Sequence, residues 1–429
     1  MSPSRQAREV TTTRRIDRVE GPFSLDLVLP GSKSIALRHI LMSTLAVEAT
    51  RLEGVPRCDD IDAMLDCVAR LGTSVGRDGK TATLHPAGGS CGPVQLDLGM
   101  SGVSLRLLLA HAALRTTRTT FTGHAQLHHR PNRDLLESLE EIGCTVESAE
   151  GFLPVSITGP AVPEAHATLR TDVTSQYLTA LLLSAAGLPR GLRIRLRGER
   201  ASASYIGVTE TEMARRGALV RWIDDATVFV PPGRYRGGRV VIEGDASAAT
   251  YHMALATLHR GTVSFSNLGN DTRQGEFAFA DVCERAGARI ERAPESVRVS
   301  GTGHLESLGT VDFSNMPDAA PTAMAMAPFL PNPTRLTGLA TLRVKECDRI
   351  AAGTAELRKV GVRVDEFDDA MTIYPAANPH PADLETYEDH RMAMALSVLA
   401  SRIGDCRIQG ADCVTKTYAD YWDDFGRVY

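Results

Sequence analysis

Two apolar patterns alternate along the chain. One is an amphipathic stretch with the spacing of a surface helix, ending at a glycine and followed by a short alternating run. It occurs at 63–71 before Gly72, 135–142 before Gly143, 209–216 before Gly217, 279–286 before Gly287 and 354–360 before Gly361. A glycine suits such a helix end, because the chain turns there through a left-handed conformation that a Cβ would strain. The runs that follow predict strands at Thr145-Val146-Glu147, Leu219-Val220-Arg221, Arg289-Ile290-Glu291 and Val362-Arg363-Val364. Successive glycines stand 71, 74, 70 and 74 residues apart, so six units of about 72 residues fill the length of 429.

The second pattern runs in phase with the first. Each unit holds a stretch that is apolar on nearly every side and opens after small or polar residues. These stretches predict interior helices at 35–45 after Ser32-Lys33-Ser34, 103–114 after Ser101-Gly102 and 177–188 after Thr174-Ser175-Gln176. Three more are expected at 246–258 after Asp245, 319–330 after Asp318 and 392–400 after Asp389-His390-Arg391. Ser101, Thr174, Asp245, Asp318 and Asp389 recur at steps of 73, 71, 73 and 71 residues, and each is expected to cap its helix. Helices apolar all round belong in an interior packed against sheets, which gives α/β domains built from repeats. Equivalent helices run alike, so their N-termini converge and favour anions there.

Charge sharpens this picture. With 47 basic and 52 acidic side chains the formal net charge is −5, which argues against a protein that coats nucleic acid. No apolar run approaches the roughly 18 residues of a membrane helix. Eight scattered cysteines without a CxxC pair read as reduced thiols of a cytoplasmic protein, with no disulfide scaffold. His124, His128 and His129 lie between Gly123 and Pro131 in an expected loop, and no metal site is expected. The first fifteen residues, with Arg5, Arg8, Arg14 and Arg15, read as a solvated tail.

On so acidic a chain, cations gathered near helix starts need a reason. Lys33, Arg38, Arg130, Lys345, Arg349, Arg391 and Lys416 stand at or near such starts, or in short polar runs. Together with helix dipoles they predict a pocket for phosphates and carboxylates. The densest run is Arg343-Val-Lys345-Glu346-Cys-Asp348-Arg349. On one helix Lys345 and Arg349 would share a face and repel unless an anion lay between them. Gly31-Ser32-Lys33-Ser34 ends like a P-loop but lacks its glycines, and no GxGxxG occurs, so no nucleotide cofactor is indicated.

Several of these segments resemble one family. Leu29-Pro-Gly-Ser-Lys-Ser-Ile-Ala-Leu-Arg38 is similar to the opening signature of the 5-enolpyruvylshikimate-3-phosphate synthases. Leu98-Gly-Met-Ser-Gly-Val-Ser-Leu-Arg106, Arg343 to Arg349, Asp389-His-Arg-Met-Ala-Met394 and Thr415-Lys-Thr417 resemble further motifs of that family, in order. The resemblance implies an inverted α/β barrel of two domains, each three βαβαββ units. Residues 32–241 would form one domain and 1–31 plus 242–429 the other, with crossovers near 28–32 and 240–245. It also implies transfer of the enolpyruvyl group of phosphoenolpyruvate to the 5-hydroxyl of shikimate 3-phosphate, without metal or organic cofactor. A monomer is the default, with no nucleic-acid or membrane partner.

The resemblance also assigns residues. It places Lys33, Gly102, Arg130, Gln176, Arg349, Arg391 and Lys416 around phosphoenolpyruvate. Around shikimate 3-phosphate it places Lys33, Ser34, Arg38, Thr174, Ser175, Gln176, Ser202, Tyr205, Asp318, Thr341 and Lys345. Asp318 is expected to take the hydroxyl proton, Glu346 to supply the methylene proton, Lys33 to bridge the substrates and His390 to orient Glu346. The chain departs from the family's usual residues at Leu37, Met100, Val103, Thr174 and Thr341. Those changes leave two other readings: a paralogue acting on another phosphorylated alcohol such as a nucleotide, or a silent anion-binding module.

Overall fold

The computed structural model describes residues 12–86, 92–198 and 200–429. The five helix-ending glycines all take positive φ, between 83° and 102°. After four of them the next amide turns back onto the helix: Thr73 N–H to Val68 O, Cys144 to Leu139, Ala218 to Met213 and Val362 to Leu357, at 2.9–3.1 Å. These bonds close otherwise orphaned carbonyls. Two strands therefore start later than the alternation suggests, at Arg221–Asp224 and Val364–Glu366, because the chain is still finishing the helix at 218 and 362.

The interior helices are Lys33–Thr44, Gly102–Ala112, Ser175–Ala185, Ala246–His259, Ala320–Met326 and His390–Ile403. The fifth is shorter than expected. It is flanked by 3-10 turns Pro317–Ala319 and Ala327–Phe329, each holding a proline that cannot donate to an α-helical ladder. Asp245 and Asp389 accept from the first-turn amides as expected, and Thr174 accepts from Gln176 N–H. Ser101 does not cap; its Oγ lies 2.7 Å from Ser104 Oγ. Asp318 does not cap either, because its carboxylate is taken up by Lys345, Arg349 and Arg391 of its own cluster.

Among the described residues each unit yields one small sheet: five sheets have four strands and one has three. The second unit shows the order, with Val94–Asp97 parallel to Thr119–Thr122, then Phe152–Thr158 and Thr145–Ala149 antiparallel. Two sheets borrow their first strand across the chain. Gly238–Val241 pairs in parallel with Thr50–Glu53, and Ser24–Leu27 with Thr262–Phe265. The last sheet is completed by Arg14–Ile16 against Cys406–Gln409. Arg14 and Arg15 thus belong to a sheet and not to a solvated tail, with Ile16 buried; Arg5, Arg8 and Cys91 lie outside the described residues.

Buried apolar side chains form two clusters. One runs from Ile35 to Ile242; the other takes Ile16–Leu29 with Ala246–Val428. The chain passes between them twice, and the passages are hydrogen-bonded to each other through Ser32 N–H to Glu243 O and Asp245 N–H to Pro30 O. The helix starts Lys33, Gly102 and Ser175 of the first cluster come together with Asp318, Arg349 and Arg391 of the second around shared cavities. Among the described residues no helix is long and apolar enough to cross a membrane.

Candidate active site

Helix capping gives the two sides of the cleft different electrostatics. The three helices of the Ile35–Ile242 cluster start after Ser32, Ser101 and Thr174, neutral residues that add no charge of their own to the positive end of the dipole, although at the first of them Asp245 reaches over from the other cluster. Those of the other cluster start at or beside Asp245, Asp318 and Asp389, which offset it. On that side the positive charge comes from side chains instead. Asp245 does double service: Oδ1 accepts from Ser247 and Ala248, and Oδ2 accepts from Lys33 N–H at 3.0 Å.

Two carboxylates organise the cations. Asp318 Oδ2 lies 2.7 Å from Arg391 Nη2, while Oδ1 lies 3.1 Å from Arg349 Nη1 and 3.5 Å from Lys345 Nζ. Glu346 Oε1 accepts from Lys416 Nζ at 2.6 Å and lies 3.5 Å from Arg130 Nη1; Oε2 accepts from Arg349 Nη2 at 2.8 Å. Burial favours the neutral acid in both, yet the surrounding cations outweigh it and hold both carboxyls well below the usual range. Lys345 and Arg349 do not share a helix, since Lys345 follows the turn Ala340–Val344 and the helix begins at Arg349. The anion between them is Asp318.

Lys33 Nζ bonds Asp60 Oδ2 at 2.9 Å; burial works against its ammonium, but Asp60 prevails and the net shift is upward. Lys345 is shifted downward by burial despite Asp318. Arg38 is buried and donates to Ser34 O, Thr209 Oγ1 and Tyr205 O, with burial lowering it to about 10. At Gly102 a Cβ would overlap the guanidinium groups of both Arg130 and Arg106, so glycine is what lets two arginines meet there.

His390 differs from expectation. Among the described residues neither ring nitrogen has a hydrogen-bond partner, and burial followed by Lys416 pushes it well below its ordinary value, so the ring is neutral. Glu346 is oriented by Lys416, Arg349 and Arg130, not by a bond from His390.

These groups line two adjoining cavities. The larger, about 1020 Å³ including its open mouth, is bordered by Ser34, Arg38, Thr174, Ser175, Ser202, Tyr205 and Thr341. The smaller, about 340 Å³, is bordered by Gly102, Glu346, Arg349 and His390. Lys33, Arg130, Gln176, Asp318, Lys345 and Arg391 border both. Lys416 reaches the site through Glu346.

The comparison with known proteins decides the family. Residues 18–425 match the family model for EPSP synthase (3-phosphoshikimate 1-carboxyvinyltransferase). The chain belongs to the EPSP synthase family. A 3-phosphoshikimate 1-carboxyvinyltransferase from Shewanella sediminis is 35% identical over 421 residues, covering 96% of this chain and 97% of that protein. One from Vibrio cholerae is 34% identical over 429 residues, covering 98% and 99%. The EPSP synthase structure from Acinetobacter baumannii superposes with a TM-score of 0.80 at 23% identity, covering 97% and 98% of the chains. The enolpyruvyl transferase NikO from Streptomyces tendae gives 0.77 at 17%, covering 96% of each. The fold is therefore the two-domain α/β architecture of EPSP synthases and related enolpyruvyl transferases.

Four side chains of the cleft are not singled out by the sequence of this EPSP synthase family member. Asp60 sits among Asp59 and Asp62 and reads as ordinary first-turn acid. Arg106 interrupts an apolar helix four residues after Gly102, a signal that was present; it donates to Gly102 O and Pro131 O, and burial and then Arg130 lower it to about 9. Gln274 and Glu276 border the larger cavity and carry no local signal.

Proposed function

We propose that this cleft transfers the enolpyruvyl group of phosphoenolpyruvate to the 5-hydroxyl of shikimate 3-phosphate and releases phosphate. The observation that carries the reading is the gathering of eight cations, Arg106 among them, with Asp318 and Glu346, around two adjoining cavities. The smaller cavity takes phosphoenolpyruvate, on Lys33, Gly102, Arg130, Gln176, Arg349, Arg391 and Lys416. The larger takes shikimate 3-phosphate, with Ser34 and Arg38 toward its carboxylate and Thr174, Ser175, Ser202, Tyr205, Thr341 and Lys345 toward its phosphate and ring.

Asp60 holds Lys33, Asp318 holds Lys345, Arg349 and Arg391, and Glu346 holds Arg130, Arg349 and Lys416. An arriving phosphate and carboxylate compete for the same cations. As Arg349, Arg130 and Lys416 turn to the ligand, the buried Glu346 loses the charges that kept it ionised and takes up a proton. That proton goes to the methylene carbon while the acceptor oxygen bonds the neighbouring carbon and its proton passes to Asp318. The tetrahedral adduct then returns the methyl proton to Glu346, breaks its bond to the phosphate oxygen, and leaves phosphate beside Lys33 and Lys416, whose charge offsets the departing anion.

Residues 32–241 and 1–31 plus 242–429 act as two domains that close on substrate and exclude water. The enzyme works as a cytoplasmic monomer, without nucleic-acid or membrane partner and without cofactor. Purified protein incubated with phosphoenolpyruvate and shikimate 3-phosphate should release phosphate. Release only with another phosphorylated alcohol would overturn the acceptor assignment, and a failure to release phosphate with any acceptor would overturn the enzyme.

A further inference from the structure

Glu276 has no place in the mechanism above. It lies on the 3-10 turn Gly275–Ala278, is 3% exposed, and borders the larger cavity with Tyr205, Asp318 and Arg38. Gly275 allows the close approach, because a Cβ there would overlap Asn315 O and crowd Ser204. A buried carboxyl in a cavity built for anions repels its own ligand if ionised. Asp318 answers that cost with Arg391, Arg349 and Lys345. Among the described residues Glu276 has no such cation bonded to it; its side chain meets Tyr205 Oη at 2.6 Å.

The same Tyr205 Oη stands 3.2 Å from Asp318 Oδ2. A phenol has one proton and can donate to one carboxylate at a time. Both contacts are satisfied together only when one acid is protonated and donates to the phenol oxygen. Asp318, gripped by three cations, stays ionised. For Glu276, burial and then the charge of Asp318 push the carboxyl up to about 7. The charged and titratable groups facing it are Tyr205, Arg38, Asp318 and Arg391, and neither arginine bonds it.

We propose that Glu276 is a positioning residue of the acceptor site, kept as a neutral carboxylic acid that donates to Tyr205 Oη so that Tyr205 turns its own proton into the cleft. In the empty cleft that proton goes to Asp318; with acceptor bound it goes to the phosphate. Ionised, Glu276 draws the Tyr205 proton to itself and sets a negative charge beside the incoming phosphate. The inference rests on reading the larger cavity as the acceptor site.

Steady-state kinetics of the full chain between pH 6.5 and 8.5 test it. In wild type, KM for shikimate 3-phosphate should rise about tenfold across that range, with smaller changes in kcat and in KM for phosphoenolpyruvate. Glu276→Gln, which keeps a neutral donor, should hold the KM ratio within about twofold. Infrared difference spectra supply a second measurement that does not depend on turnover. A protonated-carboxyl band should be present in wild type at pH 6.5 and absent at pH 8.5 and in Glu276→Gln. A Glu276→Gln enzyme with the wild-type rise in KM, or a wild type without that band, overturns the inference alone. A wild type that releases no phosphate ends the functional reading and this inference with it.

Discussion

At the scale of single residues, most of the site's cations are already paired with acids of the protein, so each acid can be tested by removing it. Asp318→Ala takes away the group proposed to receive the hydroxyl proton and removes the carboxylate shared by Arg391, Arg349 and Lys345, leaving Arg349 on Glu346 and Asp389. Phosphate release should fall between about a hundredfold and ten-thousandfold, the range of a lost general base, while binding of a phosphoenolpyruvate analogue largely survives. Wild-type-like turnover would remove Asp318 from the mechanism. Gly102→Ala should act on the other side, displacing Arg130 and Arg106 and raising KM for phosphoenolpyruvate roughly tenfold, with a smaller change in kcat. An unchanged KM would show that the two guanidiniums have room to move aside. Lys33, Arg349 and Arg391 were legible because they stand in short runs of unusual composition. Asp60 and Glu276 were not, since what distinguishes them is a partner 27 or 71 residues away.

At the scale of elements, the repeat was readable because each helix ends where a glycine is forced. Gly143 sits at φ 101°, so Gly143→Ala should cost about 1 kcal/mol. In a chain of this size that lowers the melting temperature by roughly 2–4 °C or less, with activity per folded molecule retained. A melting curve identical to wild type would mean that the turn relaxes without strain. The apolar helices were equally readable from their lack of a polar face. What escaped was the early end of the fifth, where Pro328 lies inside an apolar run whose composition otherwise favours a continuous helix. The origin of the borrowed strands also escaped. Ser24–Leu27 alternates like any strand, and nothing local says that its neighbour is Thr262–Phe265.

At the scale of the whole molecule, the borrowed strands make the two cores unequal. Residues 32–241 contain every strand of their three sheets, including Gly238–Val241. Residues 242–429 lack Ser24–Leu27 and Arg14–Ile16, and without them the edges of Thr262–Phe265 and Cys406–Gln409 lie open. Expressed separately, 32–241 should unfold cooperatively in urea by circular dichroism. Residues 242–429 should aggregate unless a peptide spanning 12–31 is supplied. A soluble, cooperative 242–429 fragment would show that the borrowed strands are dispensable.

That inequality sets a clock on the ribosome. Arg14–Ile16 leaves the exit tunnel 392 residues ahead of Cys406–Gln409, an interval of about 20–80 s at ordinary elongation rates. Throughout it the segment must stay soluble and uncommitted while the 32–241 core folds behind it. Its sparse apolar content before residue 23, with Arg14, Arg15, Asp17, Arg18 and Glu20 around Ile16 and Val19, suits a strand that waits.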